Sequence, residues 1–168
     1  MARIRQTYEE DGFFGVGILN GTDEINVGTL WRSAFILGAS FIFTVARRYK
    51  NQSSDVTKAW TKIPLYHYED LDALKQNLPH STKLIGVELT DAAIALGEYR
   101  HPERAAYLLG NEQVGLSEKT MGQCHELVQL PGNFSLNVSV AGSILLYDRI
   151  SKISTVYPKR FGVGAEGP

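Results

Sequence analysis

Cysteine and histidine, which build disulfide frameworks and zinc sites, are scarce in this sequence. Its 168 residues include one cysteine, Cys124, which excludes an internal disulfide and argues against a cysteine-based zinc site. The four histidines, at positions 67, 80, 101 and 125, lack the spacing of metal ligands, so no metal site is predicted. Cys124 is expected to be a small buried residue rather than a nucleophile. The fold must therefore rest on an apolar core.

Long apolar runs and a strong charge of one sign are also missing. No segment approaches the roughly 20 apolar residues of a membrane helix, and the acidic first dozen residues lack the apolar stretch of an export signal. A net charge of -1 excludes a protein that coats nucleic acid nonspecifically. We expect a single soluble domain spanning residues 1–168, with a core over about 13–150, a basic tail at 151–168 and a cytoplasmic location.

Basic residues are nevertheless concentrated in one internal segment. Residues 47–62 hold five Lys or Arg side chains against one acid, with Tyr49 and Trp60 among them. Nucleobases stack on aromatic rings while Lys and Arg bind phosphate, which favours nucleic-acid binding. An ordinary solvated loop remains the alternative. The five basic residues are Arg47, Arg48, Lys50, Lys58 and Lys62.

Short apolar segments alternate with helical patterns along the chain. Strands are predicted at residues 13–19, 40–45, 65–68, 83–89, 104–109 and 126–130. Helices are predicted at 26–38, 68–78, 117–122 and from about 137 onward, with one helical turn near 56–60. This alternation predicts an α/β fold with a mostly parallel sheet covered by helices on both faces. In such a sheet, ligands bind outside the carboxyl ends of the strands.

The last predicted helix has apolar or small residues nearly all round. A helix of this composition is expected to be buried on all sides. Gly142 lies inside it, where glycine costs about 1 kcal/mol of helix stability relative to alanine. We therefore predict that another element packs tightly against Gly142.

Two glycine-containing turns follow predicted strands. One is Gly110-Asn111-Glu112-Gln113-Val114-Gly115, and the other leads from Pro131 into the polar sequence Ser135-Leu136-Asn137-Val138-Ser139. Glycines let a ligand approach the backbone, and the first turn of the following helix offers free N–H groups. From the residues alone, Asn137 is either a ligand contact or simply a helix cap.

Three segments together resemble the SpoU branch of the SPOUT RNA methyltransferases. They are NVGTLWRSA at residues 26–34, GNEQVG at 110–115, and Leu130-Pro131 followed by SLNVSVA at 135–141. The resemblance covers about residues 13–150. It implies transfer of a methyl group from S-adenosylmethionine to a ribose 2′-hydroxyl of tRNA or rRNA by a homodimer. It also implies a C-terminal trefoil knot that supplies the cofactor pocket.

The resemblance assigns a role to individual positions. Leu130 and Leu136 would flank the adenine, and Glu112 and Gly115 would order the second motif or a dimer contact, although a solvated loop carboxylate is the alternative for Glu112. The positions that match the cofactor pocket are Val87, Gly110, Leu130, Ser135, Leu136 and Asn137.

Asn26 and Arg32 match the positions that the family assigns to catalysis or substrate binding. Asn26 would fix the loop or the ribose-phosphate. Because a guanidinium stays protonated, Arg32 is a poor general base. We expect it to hold a phosphate and stabilise the developing alkoxide, leaving the proton to phosphate or water. A surface arginine in a salt bridge is the alternative.

The third motif departs from the family pattern. Only three residues separate Pro131 from Ser135, fewer than family members usually have, so the loop around the cofactor is shorter and Phe134 is expected to replace lost contacts. With no appended RNA-binding domain in this sequence, the five basic residues are the predicted RNA contacts. We favour tRNA as substrate; rRNA, or a non-catalytic RNA-binding knotted dimer, are the alternatives.

Overall fold

A seven-stranded sheet forms the centre of the structure, a computed structural model that describes residues 12–50 and 58–153. The strands are β1 Phe13–Leu19, β2 Phe41–Val45, β3 Leu65–Tyr68, β4 Lys83–Val87, β5 Ile94–Ala95, β6 Arg104–Leu109 and β7 Glu126–Gln129. The helices are α1 Glu24–Ile36, α2 Leu71–Asn77, α3 Glu118–Met121 and α4 Val138–Ile153, with a 3-10 turn at Ala59–Thr61.

Every neighbouring pair of strands is parallel, in the order β3-β2-β1-β6-β4-β7-β5. One edge of the sheet therefore collects all the carboxyl ends. One face packs against α1 and α4, which supply Leu30 and Leu145 to the larger core. The other face packs against α2 and the α3 region, which supply Leu74 and Leu116. The predicted parallel α/β sheet covered on both faces is confirmed; the trefoil knot stays a prediction.

Helices α1 and α4 lie side by side and run in the same direction. The hydroxyl oxygens of Ser33 and Ser143 are hydrogen-bonded at 2.7 Å, and a Cβ at Gly142 would lie 2.3 Å from Leu30 Cδ1. The predicted tight fit at Gly142 is therefore confirmed. Because both helices follow parallel strands, both begin at the carboxyl edge of the sheet.

Helix α4 is not buried on all sides, contrary to the prediction from its composition. Val140, Ile144 and Tyr147 form a stripe that is 45%, 41% and 58% exposed. The sheet and α1 cover the opposite side, where Leu145 and Leu146 are fully buried. The apolar composition of α4 thus predicted more burial of this helix than a single chain provides.

A buried chain of polar side chains fastens α4 to the loop before β6. Arg149 donates to the carbonyl oxygens of Pro102 and Glu103 and to Tyr107 Oη, at 2.7, 2.8 and 3.0 Å. The two ring nitrogens of His101 contact Tyr107 Oη at 2.5 Å and Asp148 Oδ2 at 2.9 Å. Helix α4 is therefore held at a fixed rotation relative to the sheet.

Several element boundaries differ from those predicted. Tyr68 pairs with Val45 in β3, and α2 begins only after Asp70, whose carboxylate accepts from the N–H of Ala73. Strand β5 was not predicted, because two residues leave no apolar pattern. The predicted turn near 56–60 is a 3-10 turn at Ala59–Thr61; Val56 and the tail from 154 onward lie outside the described residues. No helix in the described ranges has the length and apolar character needed to cross a membrane.

Candidate active-site cleft

A cleft of about 500 Å³ opens at the carboxyl edge of the sheet, among the ends of β4, β6 and β7 and the first turns of α1 and α4. All six predicted cofactor positions line it: Val87, Gly110, Leu130, Ser135, Leu136 and Asn137. Three other residues of the motifs, Asn26, Glu112 and Gly115, also line this cleft. The fold thus brings the three sequence motifs to one place.

The loop of the second motif closes on itself beside the cleft. Asn111 Oδ1 accepts from the N–H groups of Gln113 and Val114, both at 2.8 Å. The N–H of Gly115 donates to the carbonyl oxygen of Asn111 at 3.0 Å. A Cβ at Gly110 would lie only 2.2 Å from the carbonyl carbon of Gly115, so the backbones touch where these glycines face each other.

Glu88, which the sequence placed inside a strand, anchors this loop to the end of β4. Its Oε2 accepts from the N–H of Leu116 at 2.6 Å, and its Oε1 accepts from the N–H of Leu89 at 3.0 Å. Gly115 has a φ of +62°, and a Cβ there would lie 2.3 Å from Glu88 Oε2. The one signal in the sequence was an acidic residue near the carboxyl end of a predicted apolar strand.

Glu112 links the second motif to the turn that precedes α1. Its Oε2 accepts from Thr22 Oγ1 at 2.9 Å and from the N–H of Thr22 at 3.3 Å. Asp23, the next residue, caps α1 by accepting from the N–H groups of Ile25 and Asn26. The carboxylate of Glu112 therefore helps to fix where α1 begins.

Asn137 connects the third motif to the first. Its Oδ1 accepts from the N–H of Ser139 at 2.9 Å and from Ser139 Oγ at 2.7 Å, so it caps α4. Its Nδ2 donates to Asn26 Oδ1 at 2.9 Å. The capping alternative for Asn137 is thus correct as geometry, and the same side chain also lines the cleft.

The walls of the cleft carry apolar side chains in contact with solvent. Val114 is 78% exposed, Phe134 is 87% exposed and Leu136 is 43% exposed, while Leu130 is half-buried. A concave site with an apolar lining and a few convergent polar groups is typical of small-molecule binding. These side chains suit a flat, largely apolar group.

The charged side chains that line the described cleft are both acidic, namely Glu88 and Glu112. Two carboxylates without a lining cation favour a ligand that carries positive charge.

Among the described residues no group of three or more His, Cys, Asp or Glu side chains is arranged to hold a metal. Burial raises the pKa of the Cys124 thiol to about 11, so this thiol is protonated and unreactive near neutral pH.

Arg32 does not line the cleft. It lies on the exposed side of α1, on a stripe with Ile25, Thr29 and Ile36, of which the two isoleucines are 62% and 52% exposed. The neighbouring α4 exposes Ile144 and Tyr147 in the same direction, away from the sheet. The sequence grouped Arg32 with Asn26, but within one chain the structure separates them.

The predicted RNA contacts do not form a single patch. Arg47, Arg48 and Lys50 follow β2 and lie exposed at the same edge of the sheet as the cleft. Lys62 precedes β3 and lies over the ring of Phe35 at 4.9 Å, near the end of α1 and so at the opposite edge. Lys58 is exposed just before the 3-10 turn.

The aromatic residues of the basic segment, Tyr49 and Trp60, are partly buried. Tyr49 contacts Trp31 edge to face, with ring centroids 6.0 Å apart, and Tyr49 and Trp60 both pack against the larger core. Both rings are only partly buried in these contacts, so base stacking on them stays a prediction. What remains is a group of exposed cations beside the cleft.

A parallel α/β sheet with a ligand-sized cleft at its carboxyl edge defines a class of cofactor-binding proteins. Within that class the chain belongs to the SpoU rRNA Methylase family, whose sequence model matches residues 15–147. The predicted membership of the SpoU branch is confirmed.

Known relatives differ in the RNA that their names specify. A Mus musculus protein named tRNA (guanosine(18)-2'-O)-methyltransferase TARBP1 is 30% identical, over 73% of this chain and 8% of its own length. An Acinetobacter baylyi protein named 23S rRNA (guanosine-2'-O-)-methyltransferase RlmB is 29% identical, over 76% of this chain and 55% of its own length. This chain therefore spans 8% of one relative and about half of the other.

A solved structure supports the fold independently. The structure of the SpoU methyltransferase AviRb from Streptomyces viridochromogenes, in complex with the cofactor AdoMet, matches this chain with a TM-score of 0.75. The two sequences are 22% identical. The match covers 84% of this chain and 58% of that one. The likeness confirms the SPOUT-type arrangement of sheet and helices.

Proposed function

We propose that this chain is an S-adenosylmethionine-dependent RNA methyltransferase that methylates a ribose 2′-hydroxyl, with tRNA favoured over rRNA. The observation that carries the proposal is the single cleft that gathers all six predicted cofactor positions together with Asn26. Family membership makes the same chemistry the expected one, and both relatives described above are named as ribose 2′-O-methyltransferases.

The lining of the cleft fits the donor. Leu130 and Leu136 would hold the adenine, and the exposed ring of Phe134 stands on the short loop where it could cover the ring on binding. S-adenosylmethionine carries a sulfonium, which complements the carboxylates of Glu88 and Glu112. The backbone of Gly110 and Val87 would contact the remaining polar groups.

S-adenosylmethionine, held by Leu130, Leu136 and Asn137, would supply an activated methyl group to the ribose 2′-oxygen and keep the electron pair of the broken carbon–sulfur bond, while the hydroxyl proton would pass to phosphate or water. Aligning oxygen, methyl and sulfur supplies much of the rate in such a displacement. Hydrogen-bond donors and cations aimed at the oxygen stabilise its developing charge. Asn26 and Arg32 are the residues of this chain that we assign to that task.

A homodimer would bring Arg32 to a cleft. Five apolar side chains, those of Ile25, Ile36, Val140, Ile144 and Tyr147, are between 41% and 62% exposed on α1 and α4. Exposed apolar side chains grouped on two neighbouring helices are typical of a protein interface. A second copy on this surface would cover the five side chains and place Arg32 of one chain near the cleft of the other.

The position of Arg47, Arg48 and Lys50 supports RNA binding at the same edge of the sheet as the cleft. Phosphates held there would lead the strand toward the proposed cofactor. The tRNA preference is part of the proposal, and rRNA remains the alternative because the family description and the Acinetobacter relative both name rRNA.

The test begins with calorimetric titration of the protein with S-adenosylmethionine and S-adenosylhomocysteine, beside the variant Asn137→Ala. We expect binding that the substitution weakens at least tenfold, because Asn137 lines the cleft and caps the helix that forms its wall. Transfer of labelled methyl into bulk tRNA or rRNA, followed by mapping of the 2′-O-methyl nucleotide, then identifies the substrate. Absence of cofactor binding, with and without RNA, would refute the proposal.

The same assay separates a second candidate function. The short loop leaves Phe134 87% exposed beside the cleft. A chain with too short a loop to hold the cofactor in place would bind RNA as a dimer without transferring methyl efficiently. Cofactor and RNA binding without incorporation of methyl into either RNA pool would support that function instead.

A further inference from the structure

We propose that Asn26 acts in the reaction solely as a hydrogen-bond donor, and that Asn137 is the positioning residue that fixes its orientation. This inference rests on the proposed function and deepens it. It starts from the one direct side-chain hydrogen bond between the first and third motifs, from Asn137 Nδ2 to Asn26 Oδ1.

The orientation of the Asn137 amide follows from the start of α4. The N–H of Ser139 lies 2.9 Å from one end of that amide, and a backbone N–H can only donate. The amide end facing it must therefore be the carbonyl oxygen. The Ser139 hydroxyl donates to the same oxygen at 2.7 Å. The NH₂ end of Asn137 is consequently the end that faces Asn26.

The orientation of Asn26 then follows from that of Asn137. An amide NH₂ group does not accept hydrogen bonds, because its nitrogen lone pair is delocalised into the carbonyl, so the atom of Asn26 lying 2.9 Å from it must be the oxygen. The oxygen of Asn26 is thereby occupied. In the part of the chain that the structure describes, Asn26 Nδ2 donates to no residue, and it is this NH₂ group that Asn26 can offer to a ligand in the cleft.

A donor is what the reacting oxygen requires. As the 2′-oxygen attacks, negative charge builds on it, and a fixed N–H stabilises that charge more than it stabilises the neutral hydroxyl. An acceptor at the same place would stabilise the hydroxyl of the ground state instead. Two amides in series, of which that of Asn137 is anchored to the backbone of α4, thus transmit the geometry of the α4 cap to Asn26.

The variant Asn26→Asp separates the donor role from a structural one. Aspartate has nearly the shape of asparagine and keeps an oxygen for Asn137 Nδ2, but it has no N–H to offer. We expect Asn26→Asp to lower kcat for RNA methylation by about a hundredfold, as for loss of one donor to a developing oxyanion. Its affinity for S-adenosylmethionine should stay within about threefold of wild type, because the link to Asn137 survives.

Asn26→Ala and a salt series complete the experiment. Asn26→Ala removes donor and acceptor together, so it should match the kcat loss of Asn26→Asp and also weaken cofactor binding. The aspartate adds a charge that repels RNA, but screening by salt would relieve such repulsion, whereas kcat at saturating RNA should stay low at every salt concentration. A kcat for Asn26→Asp near that of wild type, or one restored by salt, would overturn the inference.

If the proposed function is wrong, the cofactor-binding and methylation measurements on wild type differ from those expected when only the donor role of Asn26 is wrong. A wild-type chain that binds no cofactor or methylates no RNA refutes that function and this inference with it. An active wild type beside an equally active Asn26→Asp refutes the donor role alone.

Discussion

Gly115 shows how single atoms set the shape of the cleft. Its φ of +62° is one that residues with a Cβ adopt at a cost, and the space where a Cβ would sit is taken by the Glu88 carboxylate. That carboxylate holds the N–H of Leu116, the next residue along the chain. A side chain at 115 would displace Glu88 and open the loop that carries Gly110.

We expect Gly115→Ala to weaken S-adenosylmethionine binding at least tenfold in calorimetric titration, because the cleft wall shifts. Gly97→Ala is the matched control: it lies outside the cleft, its φ is not in the left-handed region and no atom lies within 4 Å of its Cβ position. Equal cofactor affinity in the two variants would contradict this account of Gly115.

At Gly142 packing and helix propensity oppose each other. Alanine would gain about 1 kcal/mol of intrinsic helix stability, but its Cβ would lie 2.3 Å from Cδ1 of Leu30, which is fully buried. Overpacking typically costs about 1–3 kcal/mol. We expect Gly142→Ala to lower the free energy of unfolding in urea, and Gly142→Ala combined with Leu30→Val to recover part of the loss. If Gly142→Ala alone were more stable than wild type, α1 and α4 would be shown to move apart at no cost in stability.

At the scale of elements, three sets of contacts along α4 must form together. Its first turn caps itself through Asn137 and holds Asn26, its middle packs on α1 at Gly142, and its last turns are fixed by Arg149 and Asp148. The hydrogen bonds assign the proton positions of the last connection. Arg149 donates to Tyr107 Oη, Tyr107 donates to His101 Nδ1, and a neutral His101 donates from Nε2 to Asp148.

The stability of this connection should depend on pH. Burial lowers the pKa of His101 below its usual 6.5, against the opposing effect of the hydrogen bond to Asp148. The unfolded chain therefore binds a proton at a pH where the folded chain does not. The stabilisation is fully present above about pH 6.5 and is lost as the pH falls toward the lowered value, by at most about 1.4 kcal/mol per pH unit.

Urea unfolding at pH 7.5 and 5.5 tests that dependence. Wild type should lose more unfolding free energy over this range than His101→Gln, which has no titrating ring. Parallel losses in the two proteins would place the proton uptake at another group.

Element types could be predicted from the sequence because each apolar segment is short and each helix has a cap or a stripe. The start of α2 could not: a helix was predicted from residue 68, but Tyr68 pairs with Val45 in β3 and α2 begins only after Asp70. The cleft was predicted through motif resemblance. Glu88 was missed because its role depends on Leu116, 28 positions along the chain. Composition likewise could not show that Val140 and Ile144 lack a cover within one chain.

At the scale of the whole molecule, we propose that the exposed surface of α1 and α4 sets the oligomeric state. We expect wild type to be a dimer in size-exclusion chromatography with light scattering, and Ile144→Asp to be a monomer, since a buried unpaired carboxylate opposes association. Loss of methylation should accompany loss of the dimer, because Arg32 would no longer reach a cleft. A monomeric wild type would refute this use of the surface.

RNA binding should depend on which edge of the sheet a cation occupies. Replacing both Arg47 and Arg48 by Ala should weaken binding and lower the slope of log affinity against log salt by about 1.5, as two phosphate contacts are lost. Lys62→Ala, at the opposite edge, is the control and should leave the slope nearly unchanged. Equal effects of the two changes would mean that RNA wraps around both edges.

The position of β1 in the sheet has a consequence for how the chain acquires its structure. Phe13 pairs with Arg104, so β1 stays without one of its two neighbours until β6 has been synthesised. Pairing between segments so distant in sequence is slow, because the entropy of closing the intervening chain is lost before the contact forms. During that delay the unpaired, apolar edge of β1 is open to other chains. Slow refolding and a need for low protein concentration during refolding are therefore expected properties of this protein.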